Sequence, residues 1–464
     1  MEPWKKYAVE LVFLLTSALT ILLILRRPYL YVRLGRRRTR LQTYFMSALL
    51  GPVLIFGLGL MNYHETLAGF RGGAGINPLG ILALFLSMVF MSIFLDMTGF
   101  FEFTARSVLK YARTDGRKLF FALYATVSVL TIFTSNDIII LTFTPFVYYF
   151  TKEAKIDPRP YLMAEFFAAN TWSMMLYIGN PTNILIAGAF NLDFIEYTRW
   201  MLLPTIAAGA AGALALYLLF RRSINCPLPV APEVKPKEVI TDAPGMILGL
   251  AVLGCCIVAL GIAPYFGLEI WKVALAFASA LLVVLAARDS YAKLLGKRVK
   301  RPNGGSLGKA FVRMPWTIVP FVLSLFITVG ALHYYGVTSS LGRILEAAAG
   351  GSCQRLVWLY GLTSALAANA LNNIPMTLAF ASAMREMTGQ PLLAAALSTT
   401  IGSNLGANIT PIGALAGIMW LSILKTKRMR VTFGEFVKCG LVVTPATLVA
   451  SLGVLALEFM LFQP

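Results

Sequence analysis

The stretch from Phe133 to Pro145, FTSNDIIILTFTP, places Ser135, Asn136 and Asp137 inside a region that is otherwise apolar from Leu119 to Phe150. A carboxylate at the centre of a bilayer costs roughly 2.5–3.5 kcal/mol on insertion scales, so such a group is paired, hydrated or functional. The alternative is a loop end in the headgroup region. Which reading holds depends on what surrounds this tripeptide.

The surroundings are those of a membrane protein. Of 464 residues, 58% are hydrophobic and 13% charged, outside the range of soluble domains. Runs long enough to cross about 30 Å of hydrocarbon begin at Ala8 to Leu25 and recur at Thr43 to Met61 and Leu79 to Met97. Arginines follow the first run directly and no small-residue cleavage site intervenes, so it reads as a retained span in place of a signal peptide. The formal charge of +19 lies in short segments between spans, where it sets topology and argues against a nucleic-acid partner. Cys226, Cys255, Cys256, Cys353 and Cys439 lack metal-type spacing, and no cofactor is implied.

Both flanks of the opening region are basic, Arg106 to Lys118 before it and Lys152 to Arg159 after it, which places both ends in the cytoplasm. A re-entrant hairpin turning at 134–137 satisfies that constraint, provided protein or a watery cavity covers the turn. Next come Tyr161 to Ala189, broken by Gly179, Asn180 and Pro181, then Met201 to Phe220, and a proline-rich cytoplasmic linker, 223–243. The second part runs through Gly245 to Ile262, Glu269 to Ala287, a basic loop and Trp316 to Leu332. It then reaches Leu356 to Met384, broken at Asn369, Asn372, Asn373 and Pro375; Leu392 to Leu424, broken by GSNLGANITP at Gly402 to Pro411; and Gly440 to Phe462.

This topology puts 32 of the 40 lysines and arginines in the cytoplasm and both termini outside. It predicts an all-α polytopic protein of the inner or plasma membrane, with about ten transmembrane helices plus two re-entrant hairpins. Residues 1–222 and 244–464 carry the same order of parts in opposite orientation, as in inverted-topology repeats of secondary transporters. The second hairpin, tip near 371–375, enters from the outer side.

Half-helix N-termini suit anions and polarised hydroxyls, and half-helix C-termini offer carbonyls to a cation. Ser135, Asn136 and Asp137 are expected to face Gly179, Asn180, Pro181, Thr182 and Asn183; Asn372, Asn373 and Pro375 are expected to face Ser403, Asn404, Asn408, Thr410 and Pro411. Asp96 and Glu165 read as interfacial groups near span ends, and Phe101 to Tyr111 and Thr432 to Lys438 as interfacial helices. A membrane-embedded enzyme lacks its parts here, with two histidines, no nucleophile elbow and no phosphate loop. A passive channel uses the same breaks and is separated by uphill flux.

LDMTGFFEF (Leu95 to Phe103), SNDIIILTFTP (Ser135 to Pro145), LNNIPMTL (Leu371 to Leu378) and GSNLGANITPIGALAGIMWL running towards FGEFVKCGLVVTP resemble the ion transporter superfamily. Within it they are most similar to arsenical pump membrane proteins. The resemblance implies an inverted-repeat carrier exchanging arsenite or antimonite for protons. More distant relatives are sodium/proton antiporters, sodium-coupled dicarboxylate carriers and carriers of silicic acid. The arsenite pattern has acidic residues where this chain has Asn170 and Asn404, and a lysine at Asn408. Asp137 is thus left as the candidate for proton coupling. The GNPTNILIAG run, Gly179 to Gly188, looks more like other branches.

Two mechanisms follow. One is proton-coupled efflux, with neutral Asn, Thr and Ser groups holding the hydroxylated metalloid. The other is a sodium-linked carrier, with sodium at Ser135, Asn136 and carbonyls near Gly179, and again at Ser403, Asn404 and carbonyls near Asn408. A homodimer and a soluble ATPase subunit on the basic face, as some arsenite pumps permit, are compatible with both.

Overall fold

A computed structural model describes residues 3–27, 29–34, 37–62, 64, 77–112, 115–225, 235–294 and 307–462. Residues 226–234 of the proline-rich linker, with Cys226, and 295–306 of the basic loop after Arg288 lie outside the described residues.

The chain is built from helices. Helix α1 (Pro3–Arg26) is followed by α2 (Tyr44–Gly57), α3 (Pro78–Met97) and α4 (Phe100–Ala112). The broken region forms α5 (Gly116–Phe133) and α6 (Asn136–Glu153); the next forms α7 (Arg159–Trp172) and α8 (Pro181–Phe190), before the long α9 (Phe194–Ile224). Then come α10 (Ala243–Ile262), α11 (Ile270–Leu294), the short α12 (Leu307–Arg313), α13 (Ile318–Tyr334) and α14 (Val337–Ala349). The last group is α15 (Cys353–Leu371), α16 (Asn373–Ala383), α17 (Gly389–Gly406), α18 (Leu415–Thr426) and α19 (Phe433–Leu461).

Among the described residues eight helical segments are long and apolar enough to cross a membrane, α5 being one of them. Adding the shorter α2 and the two spans split into α7–α8 and α17–α18, and counting α5 as a hairpin arm, gives the ten spans expected from sequence. The arginine-rich segment after α1 adds a feature unseen in the sequence: strands β1 (Tyr29–Leu34) and β2 (Arg37–Gln42) pair antiparallel, Tyr29 opposite Gln42 and Leu34 opposite Arg37. Tyr29, Tyr31, Val32 and Thr39 are of the aromatic and β-branched types that favour strands.

Each broken pair turns back on itself. The Tyr161 hydroxyl donates to the Gly116 carbonyl at 3.2 Å. The start of α5 therefore lies against the start of α7, which follows the end of α6 by a join of residues 154–158. In the second pair Tyr360, two turns into α15, meets Met387 Sδ at 3.7 Å and the Phe380 ring at 6.0 Å, so the end of α16 returns to the start of α15.

The packing of the two parts corresponds. Helix α5 packs on α7 and α15 on α17; α6 packs on α18 and α16 on α8; α3 is flanked by α10 and α11, and α13 by α1 and α2; α9 and α19 pack on each other. The α15–α17 contact is close: a β-carbon on Gly406 would stand 2.5 Å from Ala365 Cα. Small residues at such crossings let backbones approach, which is how membrane helices associate without a hydrophobic drive.

Of the two segments expected as interfacial helices, Phe101 to Tyr111 forms the separate α4, whereas Thr432 to Lys438 is not a helix of its own but the cap and first turns of the 29-residue α19. Helix α4 buries Phe101, Ala105, Val108 and Leu109 along one face. Thr432 caps α19 through a reciprocal bond with Glu435.

Candidate functional site

Helix α5 ends at Thr134, whose hydroxyl donates to the Leu130 carbonyl at 2.6 Å, and the chain then extends through Ser135 (φ −149°, ψ 141°). Serine at a helix start normally accepts a bond from the first turn. Here Ser135 makes no such cap, and its buried Oγ has no hydrogen-bond partner among the described residues. Asn136 takes over the end of α6. Its Oδ1 accepts the Asp137 N–H at 2.9 Å and its Nδ2 donates to Asn170 Oδ1 at 2.9 Å.

Asn170, in the last turn of α7, then donates to Asn408 Oδ1 at 3.0 Å. One chain of side-chain amides thus joins the first tip to the unwound segment after α17. The tip therefore bonds the end of α7, one step before the Gly179 break it was expected to face. Asn408 Nδ2, at the end of this chain, is buried and unpartnered among the described residues.

The two breaks bond to each other across the halves. Asn404 Oδ1 accepts Asn180 Nδ2 at 2.8 Å and Ser173 Oγ at 3.0 Å, and Asn404 Nδ2 donates to Asn183 Oδ1 at 2.7 Å. Ser403 Oγ donates to Thr182 Oγ1 at 3.0 Å. Asn183 is in turn fixed by the Ser173 carbonyl at 2.8 Å, and Asn180 caps α8 through the Thr182 N–H. Gly179 ends a 3-10 turn and has no room for a side chain against Ser173. The sequence leads to the expectation that all four breaks converge on one site, each tip facing the break of its own half; the Asn180–Asn404 bond across the halves is additional, and buried amides, with two donors and an acceptor each, need such partners.

At the second tip Asn372 has φ 74° and ψ 151°, a strained region for a residue with a side chain, at a cost on the order of 1–3 kcal/mol. It is held there by its own Nδ2 on the Ile412 carbonyl at 3.0 Å and by the Asn373 N–H on the Gly413 carbonyl at 2.9 Å. This tip does face its own break, as expected. Thr410 is fixed through its N–H and hydroxyl by Asn369 Oδ1 at 3.0 and 2.7 Å. Asn373 Oδ1 and Thr377 Oγ1, one turn apart on α16, are buried without a partner among the described residues.

Of the two oxygen pairs predicted for sodium, Ser135 keeps an uncommitted hydroxyl. Asn404 Oδ1 already accepts two hydrogen bonds.

Asp137 lies on the wall of a cavity of about 590 Å³. Phe85, Val89 and Ile93 of α3, Leu141 of α6 and Met419 of α18 line its apolar part, while half-buried Asp96 and Glu102 and exposed Lys309 and Arg313 supply its charged part. No described residue donates a hydrogen bond to the Asp137 carboxylate. Asp96, read from sequence as an interfacial or capping group, is engaged across the halves. Its Oδ2 accepts Arg313 Nη1 at 2.9 Å and its Oδ1 accepts Thr142 Oγ1 at 3.0 Å.

Glu165 differs more from its reading. It is fully buried between α6, α7 and α18, taking Thr144 Oγ1 at 2.8 Å and Trp420 Nε1 at 3.4 Å. Asn369, expected only as a break in its span, joins the site through Thr410, and Ser173 and Thr377 are site groups with no place in the sequence reading. Their signal is position: Ser173 is one turn after Asn170, and Thr377 one turn after Asn373.

Ten spans, two broken hairpins and a polar cluster where two broken helices meet define a polytopic membrane transporter of the plasma membrane. The arsenical pump membrane protein family model matches residues 32–458. The chain belongs to that family. An arsenical pump membrane protein of Escherichia coli is 30% identical over 417 residues, covering 89% of this chain and 93% of that protein. One from Yersinia enterocolitica is 30% identical over 381 residues, covering 81% and 86%. The crystal structure of the Alcanivorax borkumensis YdaH transporter superposes with TM-score 0.55 at 15% identity over 100% of this chain and 99% of that one, a likeness of fold.

Proposed function

We propose that this protein exports arsenite or antimonite in exchange for protons, with Asp137 as the proton-coupling group. The observation that carries the reading is the pairing of one uncommitted carboxylate with a site of neutral groups. Asp137 lines the cavity with no hydrogen-bond partner for its carboxylate among the described residues, and Ser135 Oγ, Asn373 Oδ1, Thr377 Oγ1 and Asn408 Nδ2 are buried with unspent hydrogen-bonding capacity among them. A small uncharged solute bearing hydroxyls both donates and accepts, so it answers oxygens and an amide N–H₂ alike. The names of the relatives, arsenical pumps, supply the metalloid.

In this reading the two parts, 1–222 and 244–464, are inverted repeats, and α5–α6 and α15–α16 are hairpins entering from opposite faces. Supporting it are the return of each broken pair to its starting level and the matching helix contacts of the two parts. Lys309 and Arg313 then face the cytoplasm, and the cavity is the entry for cytoplasmic solute. The metalloid enters between apolar walls and displaces water at the tips. A proton from outside on Asp137 then balances its exit.

A sodium-linked carrier is the second reading, favoured by the uncommitted Ser135 hydroxyl. Arsenite uptake into everted vesicles separates the two. It is expected to proceed without sodium and to collapse when an ionophore removes the proton gradient. Uptake that survives the ionophore, or that needs sodium, overturns the proton reading.

A further inference from the structure

Helix α19 carries Thr444, Ser451 and Glu458 at intervals of seven residues. Seven residues is close to two helical turns, so the three lie on one face, over about 21 Å of rise. Thr444 and Ser451 are fully buried and Glu458 is 7% exposed. Thr444 Oγ1, Ser451 Oγ and Glu458 Oε2 have no hydrogen-bond partner among the described residues. Many buried helix hydroxyls fold back on the preceding turn, as Ser128 and Thr131 do at 2.7 Å. Along this row they do not.

The row has defined ends. At the inner end Gly440, one turn before Thr444, lies so close to the Asn408 and Ile409 carbonyls that a β-carbon on it would meet both. Asn408 is the residue whose Nδ2 is unspent at the site. At the other end Glu458 sits beside Phe459, on which Trp200 of α9 stacks with ring centroids 4.4 Å apart. Arg199 of α9 is the only charged side chain acting on Glu458 among the described residues. The helices that cover the row are α9, α15 and α17, and α17 adds Thr399, whose hydroxyl is likewise buried and unpartnered.

Buried polar groups in a membrane protein are satisfied by protein or by ordered water, and ionisable ones mark ion and proton routes. Hydroxyls and water each accept one proton as they release another. A row of them ending in a carboxylate moves protons without moving larger ions.

We propose that the Thr444–Ser451–Glu458 face of α19 is a hydrated proton path from the outer surface to the Asn408 side of the site, with Glu458 as the proton-binding group at its outer end. The proposal rests on the proton-exchange reading above and deepens it. Asp137 serves the cavity side and Glu458 the opposite side. A proton taken up on Glu458 Oε2 leaves it by a chain of O–H transfers, so no other reactant is needed.

The test uses the full chain in liposomes, with two assays per protein: arsenite uptake driven by a pH gradient, and arsenite–arsenite exchange at equal pH, which moves no net proton. Glu458→Gln is expected to lower gradient-driven uptake about tenfold and to flatten its dependence on outer pH. Exchange is expected to stay within about twofold of the parent because the site is intact, and Glu458→Asp is expected to restore the gradient-driven uptake and its dependence on outer pH. Ser451→Val, which removes a hydroxyl and no charge, is expected to show the same split and stands in if the Glu458 variants do not fold. Unchanged driven uptake, or equal loss in both assays, overturns the path. Absence of gradient-driven uptake in the parent protein would instead overturn the proton-exchange reading, before any variant is compared.

Discussion

Asp137→Asn is expected to abolish uphill arsenite transport, leaving uptake under a pH gradient at the level of protein-free liposomes. The substitution conserves shape and leaves the Asn136 amide network in place, because that network engages Asp137 through its backbone N–H and not its carboxylate. It therefore removes the titrating group and little else. Folded yield and thermal stability are expected to match the parent, and arsenite–arsenite exchange at equal pH is expected to continue. A carboxylate at this depth is retained against an insertion cost of about 2.5–3.5 kcal/mol, which an amide would avoid. Gradient-driven uptake that persists in this variant places the coupling elsewhere.

The second large effect is Asn404→Leu. Asn404 is 1% exposed and its amide joins Ser173, Asn180 and Asn183 of one part to α17 of the other. Leucine strands the Asn180 amide N–H₂ and the Asn183 amide oxygen in a buried place, while the Ser173 hydroxyl keeps the Asn170 carbonyl at 2.9 Å. With each such group worth roughly 0.6–3 kcal/mol, the loss totals about 1–6 kcal/mol of stability. The expected outcome is a clear fall in melting temperature together with loss of transport in both assays. Here the two readouts fall together, which distinguishes a cross-link between the parts from the coupling group Asp137. A variant that melts with the parent would show that these bonds add nothing net.

The breaks that organise the fold are legible in the residues. Gly, Asn and Pro interrupt apolar runs at 134–137, 179–181, 372–375 and 402–411, and the helices end close to each of these positions. Proline and glycine act locally, so their consequence needs no knowledge of the rest of the chain. Basic flanks and apolar lengths likewise give the span count.

What the sequence hides is which face of each helix is inside. In a soluble helix the apolar stripe marks the buried face. In lipid both faces are apolar, so Glu165 near the start of α7 looks like an interfacial acid until Thr144 and Trp420 are seen to enclose it. The same blindness conceals the row on α19, where Thr444 and Ser451 are ordinary membrane-helix residues until their burial is known. It also conceals the pairing of Asn180 with Asn404, since separation along the chain says nothing of how two breaks meet. Asp137 is the exception. A lone acid between Asn136 and Ile138 stands out in any reading, and the structure places it on the cavity wall.

The most direct measurement is proton movement itself. Liposomes holding the purified protein and a trapped pH-sensitive dye, in sodium-free buffer and with no imposed gradient, are given arsenite on one side. The account predicts a pH change in the arsenite-free compartment, acid leaving as arsenite enters, that is absent with Asp137→Asn. Arsenite entry with no pH change in the parent protein, or entry only after sodium is added, would contradict it.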